Sequence, residues 1–171
     1  MSLPDPRRLP VRLRTMREED LASVAAMNDA AVPAVNALGL DGLREHLPRC
    51  SAALVAHDAS GVIGFLLALA PGADYASENY AWFSAHVPGS LYVDRIVVAP
   101  RAASRGVGRA LYAAVTEQAR ALGLDRVTAE VNLEPPNPRS SAFHARLGFT
   151  PVGEQVTKGG TVRVELLALT L

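Results

Sequence analysis

Two glycines one residue apart, Gly106 and Gly108, sit where an apolar run ends and a helical pattern begins, in VDRIVVAPRAASRGVGRALYAAV (93–115). Arg101, Arg105 and Arg109 surround them. A helix start leaves its first amides unpaired and carries partial positive charge, so it holds an anion readily. Glycine lets the backbone approach closely and turn to positive φ, and arginines add charge-assisted contacts. The same glycine pair is also a common structural device at strand-to-helix turns. The P-loop string G-x-x-x-x-G-K-[ST] does not occur. A dinucleotide fingerprint would need a third glycine where Leu111 stands. Glu130, 22 residues after Gly108, falls near the place of a ribose-binding acid, which keeps a nicotinamide reading open.

Other chemistry-bearing residues are scattered. His46, His57 and His86 show no metal-ligand spacing, so no metal is expected. Cys50 is the only cysteine, which excludes an internal disulfide and reads as a packed small residue. The stretch ADYASENYAWFSAHVPGS (73–90) has no clear period and holds Glu78, Asn79, Tyr80, Trp82, Phe83 and His86. A loop of that length is functional or hides a short helix. Its aromatic and polar mixture suits a small-molecule pocket, while Trp82 and Phe83 would equally serve to cover a core.

Lys and Arg total 17 and Asp and Glu total 17, so no overall field favours nucleic acid or an anionic membrane. The longest apolar stretches, such as VIGFLLALA, are about half of a bilayer span. The start MSLPDPRRLP lacks the apolar core of a signal peptide, and a cytoplasmic location is the default.

These residues need a frame. Residues 1–10 read as a loose arm, and 11–171 as one domain. VRLR (11–14) is a short strand, followed by a helix with Leu21, Val24, Ala25 and Met27 at helical spacing. DGLREHL (41–47) is a second helix, and 52–57 with 62–70 form a hairpin around DASG. LYVDRIVVA (91–99) is a strand. The helix after it sets Val107, Leu111, Val115 and Leu122 on one face and stops at Gly123. RVTAEV (126–131) is a strand, SAFHARLGF a short helix, and PVGEQV and TVRVELLALTL two strands joined at KGG. The order predicts an α/β or α+β domain with a mixed sheet.

AASRGVGRAL, led in by YVDRIVVAP, resembles the acyl-CoA-binding motif of the GNAT N-acetyltransferase superfamily, written Q/R-x-x-G-x-G/A. The aligned residues are Ala103, Ser104, Arg105, Gly106, Val107 and Gly108, with alanine at the first position. SSAFHARLGF (140–149) resembles the closing motif A-x-x-F-Y-x-K-L-G-F, and VRLRTMREEDLASVAAM the first strand and helix. The aromatic stretch resembles an uncharacterised bacterial branch of that superfamily. The likeness spans about 11–171 and implies a twisted, mostly antiparallel sheet of six to seven strands flanked by about four helices.

The resemblance further implies acetyl-CoA as acyl donor, held between splayed fourth and fifth strands, and direct transfer to an amine of a small molecule or peptide. Ile96, Val97 and Val98 would line the pantetheine arm, and the amides from Arg105 to Arg109 the pyrophosphate. Asn137 and Phe143 would border the cofactor. His144 replaces the tyrosine that often protonates the thiolate, and it could instead pack beside the ligand or bond a carbonyl. Simple alternation places Tyr92, Asp94, Ile96 and Val98 on one face. Asp94 is then a candidate base with a raised pKa, or an ion-pair partner of an arginine; Glu130 is a second candidate base. Asn79, Tyr80, Trp82, Phe83 and Tyr92 would line the acceptor pocket. Surface-strand dimers are frequent in such proteins. Ala103 and His144 leave open a CoA-binding module without catalysis.

Overall fold

The computed structural model describes residues 10–171. The expected arm lies, apart from Pro10, outside the described residues. Among the described residues the strands are β1 (Arg12–Thr15), β2 (Ala52–Asp58), β3 (Gly61–Leu69), β4 (Ser90–Val98), β5 (Arg126–Glu134), β6 (Thr150–Thr157) and β7 (Val162–Thr170). The helices are α1 (Leu21–Ala30), α2 (Gly39–His46), α3 (Glu78–His86), α4 (Val107–Ala121) and α5 (Pro138–Leu147). They form one seven-stranded sheet ordered β1-β2-β3-β4-β5-β7-β6. Every pairing is antiparallel except β4 with β5.

One face of the sheet carries α4 and α5. The other carries α1 and α2 over β2–β4, and α3 over β3, β4 and β7. α4 buries Val107, Leu111, Tyr112, Val115 and Ala119, a stripe at helical spacing that faces the sheet. Leu122, expected on that stripe, lies past the last turn and is 54% exposed, because Gly123 at φ +73° ends the helix there. Ala119 fills the inner position instead.

The aperiodic stretch 73–90 contains α3. Ser77 starts it by accepting a hydrogen bond from the Tyr80 amide. Tyr80 and Phe83, three residues apart, are its buried pair. Exposed alanines interleave with Glu78, Ser84 and His86 in so short a helix, so no clear polar stripe is there for a period to reveal.

Candidate active site

The parallel pair is short. β4 and β5 are in register only from Ser90 with Arg126 to Tyr92 with Thr128, while β3 follows β4 to Val98 and β7 follows β5 to Glu134. The two central strands therefore part after Tyr92 and Thr128 and make a fork. Below it, the Ser90 and Thr128 hydroxyls meet at 3.3 Å in the interior. Above it, the inner edges of both strands have no strand partner among the described residues, so their peptide groups can pair with an extended ligand.

A bulge re-aims β4 at the fork. Leu67 opposes Arg95 and Ala68 opposes Val93, leaving Asp94 as the extra residue. Tyr92 belongs to the cluster under α3, whereas Ile96 and Val98 pack with the α4 cluster on the opposite face. This corrects the alternation that placed Tyr92 and Asp94 with Ile96 and Val98. The bulge turns Asp94 and Arg95 together into a polar nest. Asp94 accepts from the Tyr75 hydroxyl (2.7 Å) and Arg95 Nε (2.7 Å), and lies 3.0 Å from His46 Nε2. Arg95 also donates to the side-chain oxygens of Asn28 and Asn36. Burial pushes the Asp94 carboxyl up, but the His46 hydrogen bond and the Arg95 guanidinium outweigh it and leave it below the usual range. That is opposite to the expected raised value. Asp94 is ion-paired with an arginine, the second of the two roles read from its sequence position.

Glu130 lies two residues beyond Thr128, the last β5 position paired with β4. Its Oε1 accepts from the Tyr92 hydroxyl at 2.8 Å, and its Oε2 is buried with no partner among the described residues. Burial, then the charge of Asp94, push its pKa up to about 8, although Tyr92 opposes this. The loop between α1 and α2 roofs this face. It is tied to β4 by Asn36 on Arg95 and to β5 by Asn132 Nδ2 donating to the Pro33 carbonyl (3.1 Å).

On the opposite face, His144 is buried against Tyr112, Phe143 and Phe149. Its Nδ1 is 2.8 Å from the Ser140 carbonyl, which can only accept, so Nδ1 carries the proton. Nε2 then accepts from the Tyr112 hydroxyl at 2.6 Å. Burial lowers the His144 pKa and the Ser140 carbonyl partly opposes this, so the ring is neutral. In this arrangement the only proton between Tyr112 and His144 Nε2 belongs to Tyr112.

The glycine turn opens α4. Gly106 is its N-cap at φ +78°, preceded by Ser104 at φ +64°. A Cβ at Gly106 would meet nothing, so the backbone angle alone requires glycine there. A Cβ at Gly108 would lie 2.7 Å from Phe143 Cζ, so Gly108 also lets α4 approach α5. Arg105 pairs with Asp58 (2.8 Å) and Arg101 donates to the Val62 carbonyl (2.9 Å). Arg109 is exposed on the first turn of α4, and Ala103 is half-buried. Asn137 caps α5, its Oδ1 accepting from the Ser140 amide (3.3 Å). On the α1 side of β4, a cleft of about 440 Å³ lined by Met27, Val62, Val97, Val98 and Arg101 adjoins the start of this turn.

The residues expected around the acceptor divide. Tyr80 and Phe83 are core; the Tyr80 hydroxyl donates to the Ala70 carbonyl. Trp82 lies over Gly153 and stacks on His86. Asn79 accepts from Gln155 (2.9 Å) and, with Tyr92, favours the ionised form of Glu130. His46, Tyr75 and Tyr112 carry no local motif that could have marked them. Cys50 is half-buried, with its thiol pushed up to about 12 by burial, so it is no thiolate.

The sequence profile of the acetyltransferase (GNAT) family matches residues 21–149. The chain belongs to this family. It carries a GNAT acetyltransferase domain, and the family uses acetyl-CoA. The fold is similar to ribosomal-protein-alanine N-acetyltransferase from Brucella melitensis, with 25% identity and a TM-score of 0.71 over 94% of this chain and 99% of that one. It is also similar to yncA of Salmonella typhimurium, solved with its cofactor acetyl-CoA (22% identity, TM-score 0.69, 94% of each chain). A third is the ribosomal-protein-S18-alanine N-acetyltransferase of Escherichia coli (14% identity, TM-score 0.70, 94% of each chain). No curated protein matches the chain in sequence. Among the described residues, no helix is long and apolar enough to cross a membrane, and no three His, Cys, Asp or Glu side chains are grouped to hold a metal ion.

Proposed function

We propose that this GNAT acetyltransferase moves an acetyl group from acetyl-CoA directly to the amine of a small molecule or a peptide N-terminus, with Glu130 as the general base. The observation that carries this is the buried, unpartnered Oε2 of a carboxylate raised to about 8, sitting where β4 and β5 part. A base works best with a pKa near the operating pH.

The two faces of the fork divide the work. The amine enters on the side of Glu130 and loses its proton to Oε2. Acetyl-CoA is the acyl donor, entering from the side of α4 and α5. The free inner edge of β4 at Ile96–Val98 suits the pantetheine arm, and the amides after Gly106 suit the pyrophosphate. Asn137 and Phe143, at the start and middle of α5, would border the donor. The thiolate departs on the side of the Tyr112–His144 pair, whose one shared proton lies on Tyr112. Asp94 has no proton-transfer role here; its ion pair holds the bulge. A peptide acceptor draws support from the two neighbours that acetylate ribosomal-protein alanine.

The test is an amine panel with acetyl-CoA that includes a peptide beginning with alanine, with products read by mass spectrometry. Acetylated product is expected, and Glu130→Gln should lower kcat by about 10²-fold or more. An unchanged kcat in that variant would overturn the role of Glu130.

A further inference from the structure

We infer that Tyr92 is a positioning residue for Glu130: its hydroxyl bridges the apex of the fork, occupies Oε1, and leaves Oε2 as the oxygen that takes the amine proton. The inference rests on the proposed role of Glu130 as base. It replaces the reading of Tyr92 as a wall of the acceptor pocket.

The geometry is set by register. Tyr92 opposes Thr128 in the last pair before the strands part, and Glu130 follows two residues later on the same face of β5. A tyrosine at the last β4 position paired with β5 can therefore reach a carboxylate two residues beyond that pair on β5, and the hydroxyl does so at 2.8 Å. The ring cannot swing away. It is 1% exposed, with Tyr80 and Phe83 rings each 5.6 Å from its centre. A buried phenol needs a partner, and a carboxylate is its strongest acceptor. This contact holds Oε1, while Oε2 makes no hydrogen bond of ordinary length among the described residues and Asn79 stands near the carboxylate.

The polar groups around Glu130 are few. β4 supplies Tyr92 and Asp94, α3 supplies Asn79, and α4 supplies Tyr112, while the β7 residue opposite is Leu166. Asp94 is already tied to His46, Tyr75 and Arg95. Asn79 favours the ionised carboxylate less than Tyr92 does. Tyr92 is thus the principal donor to the base, and it bonds the ionised form more strongly than the protonated one. A merely structural tyrosine would leave the titration of the base alone, whereas a positioning one would not.

The experiment is the pH dependence of kcat/KM and kcat in the full chain, with acetyl-CoA and an accepted amine. It compares wild type, Tyr92→Phe, Glu130→Gln, and protein carrying 3-fluorotyrosine at position 92. Tyr92→Phe should move the rising limb to higher pH by roughly half a unit or more. It should also cut kcat at least about fivefold, with the KM for acetyl-CoA unchanged. Fluorotyrosine keeps the ring and strengthens the donor, so it should move the limb to lower pH and remains informative if Tyr92→Phe fails to fold. A limb and kcat unmoved by either change at Tyr92 would overturn the inference. A limb that persists in Glu130→Gln would instead overturn the reading of Glu130 as base, so the two failures are distinguishable.

Discussion

Gly108 lies directly beneath the Phe143 ring, so closely that a Cβ on the glycine would stand 2.7 Å from Cζ. The second glycine of the turn is thus a packing requirement between α4 and α5 as well as a feature of the anion site. Gly108→Ala should destabilise the fold by about 1–3 kcal/mol through overpacking. Phe143→Leu in the same chain should return part of the loss. Urea unfolding of both variants and the double mutant measures this, and additive losses would contradict it.

Gly106 behaves differently, because its φ of +78° rather than its space demands glycine. Gly106→Ala should cost roughly 1–2 kcal/mol and weaken acetyl-CoA binding by distorting the amides after it. Calorimetric titration checks the binding half, and unchanged affinity would exclude this turn as the phosphate cradle.

The Asp94 nest should make the fold sensitive to loss of one charge. Asp94→Asn leaves Arg95 buried without its counter-charge and should cost about 3–5 kcal/mol. Asp94 and Asp20 are both held below the usual carboxylate range, Asp20 by Arg14, which donates to both its oxygens at 2.6 and 2.9 Å. Their folded pKa values lie below the unfolded ones. The stability they add is therefore full above about pH 4 and is lost as pH falls through the folded values. Unfolding free energies from pH 7 down to 2 should fall in that window, and less steeply in Asp94→Asn.

Glu130 has the opposite sign. Its folded pKa of about 8 exceeds that of the unfolded chain, so the folded state holds the extra proton between about pH 4.3 and 8. The contribution is full below the unfolded value and is lost as pH rises through 8. Glu130→Gln should therefore gain stability relative to wild type on going from pH 5 to pH 9, while losing activity. Scanning calorimetry at the two pH values reads this directly, and a constant difference would contradict it.

His144 and Tyr112 should be energetically coupled. Removing either leaves the other's buried polar atom unpartnered, a loss of about 1–3 kcal/mol, and removing both should cost less than the sum. A double-mutant cycle with Tyr112→Phe and His144→Phe measures the coupling. Additivity would mean that the 2.6 Å contact carries no energy.

Features built from neighbouring residues are legible in the sequence. The glycine turn, the amphipathic α4 and the hairpin of β2 and β3 each follow from residues close in the chain. The rest is set by distance or by a break in regularity. One extra residue at Asp94 moves Ile96 and Val98 to the other face, and no residue type announces such a bulge. His46 and Tyr75 lie 48 and 19 residues from the Asp94 they meet. Glu130 can be named as a candidate base from its place in the chain. Its buried, half-satisfied state depends on a fork between strands that only the sheet order creates.

Whether Glu130 takes the amine proton is read from the dependence of kcat/KM on pH between 5 and 10, in wild type and Glu130→Gln. A rising limb near pH 8 in the wild type that is absent from Glu130→Gln is the expected result. A limb near the ordinary carboxylate value, or one that survives the substitution, would mean that the amine loses its proton elsewhere.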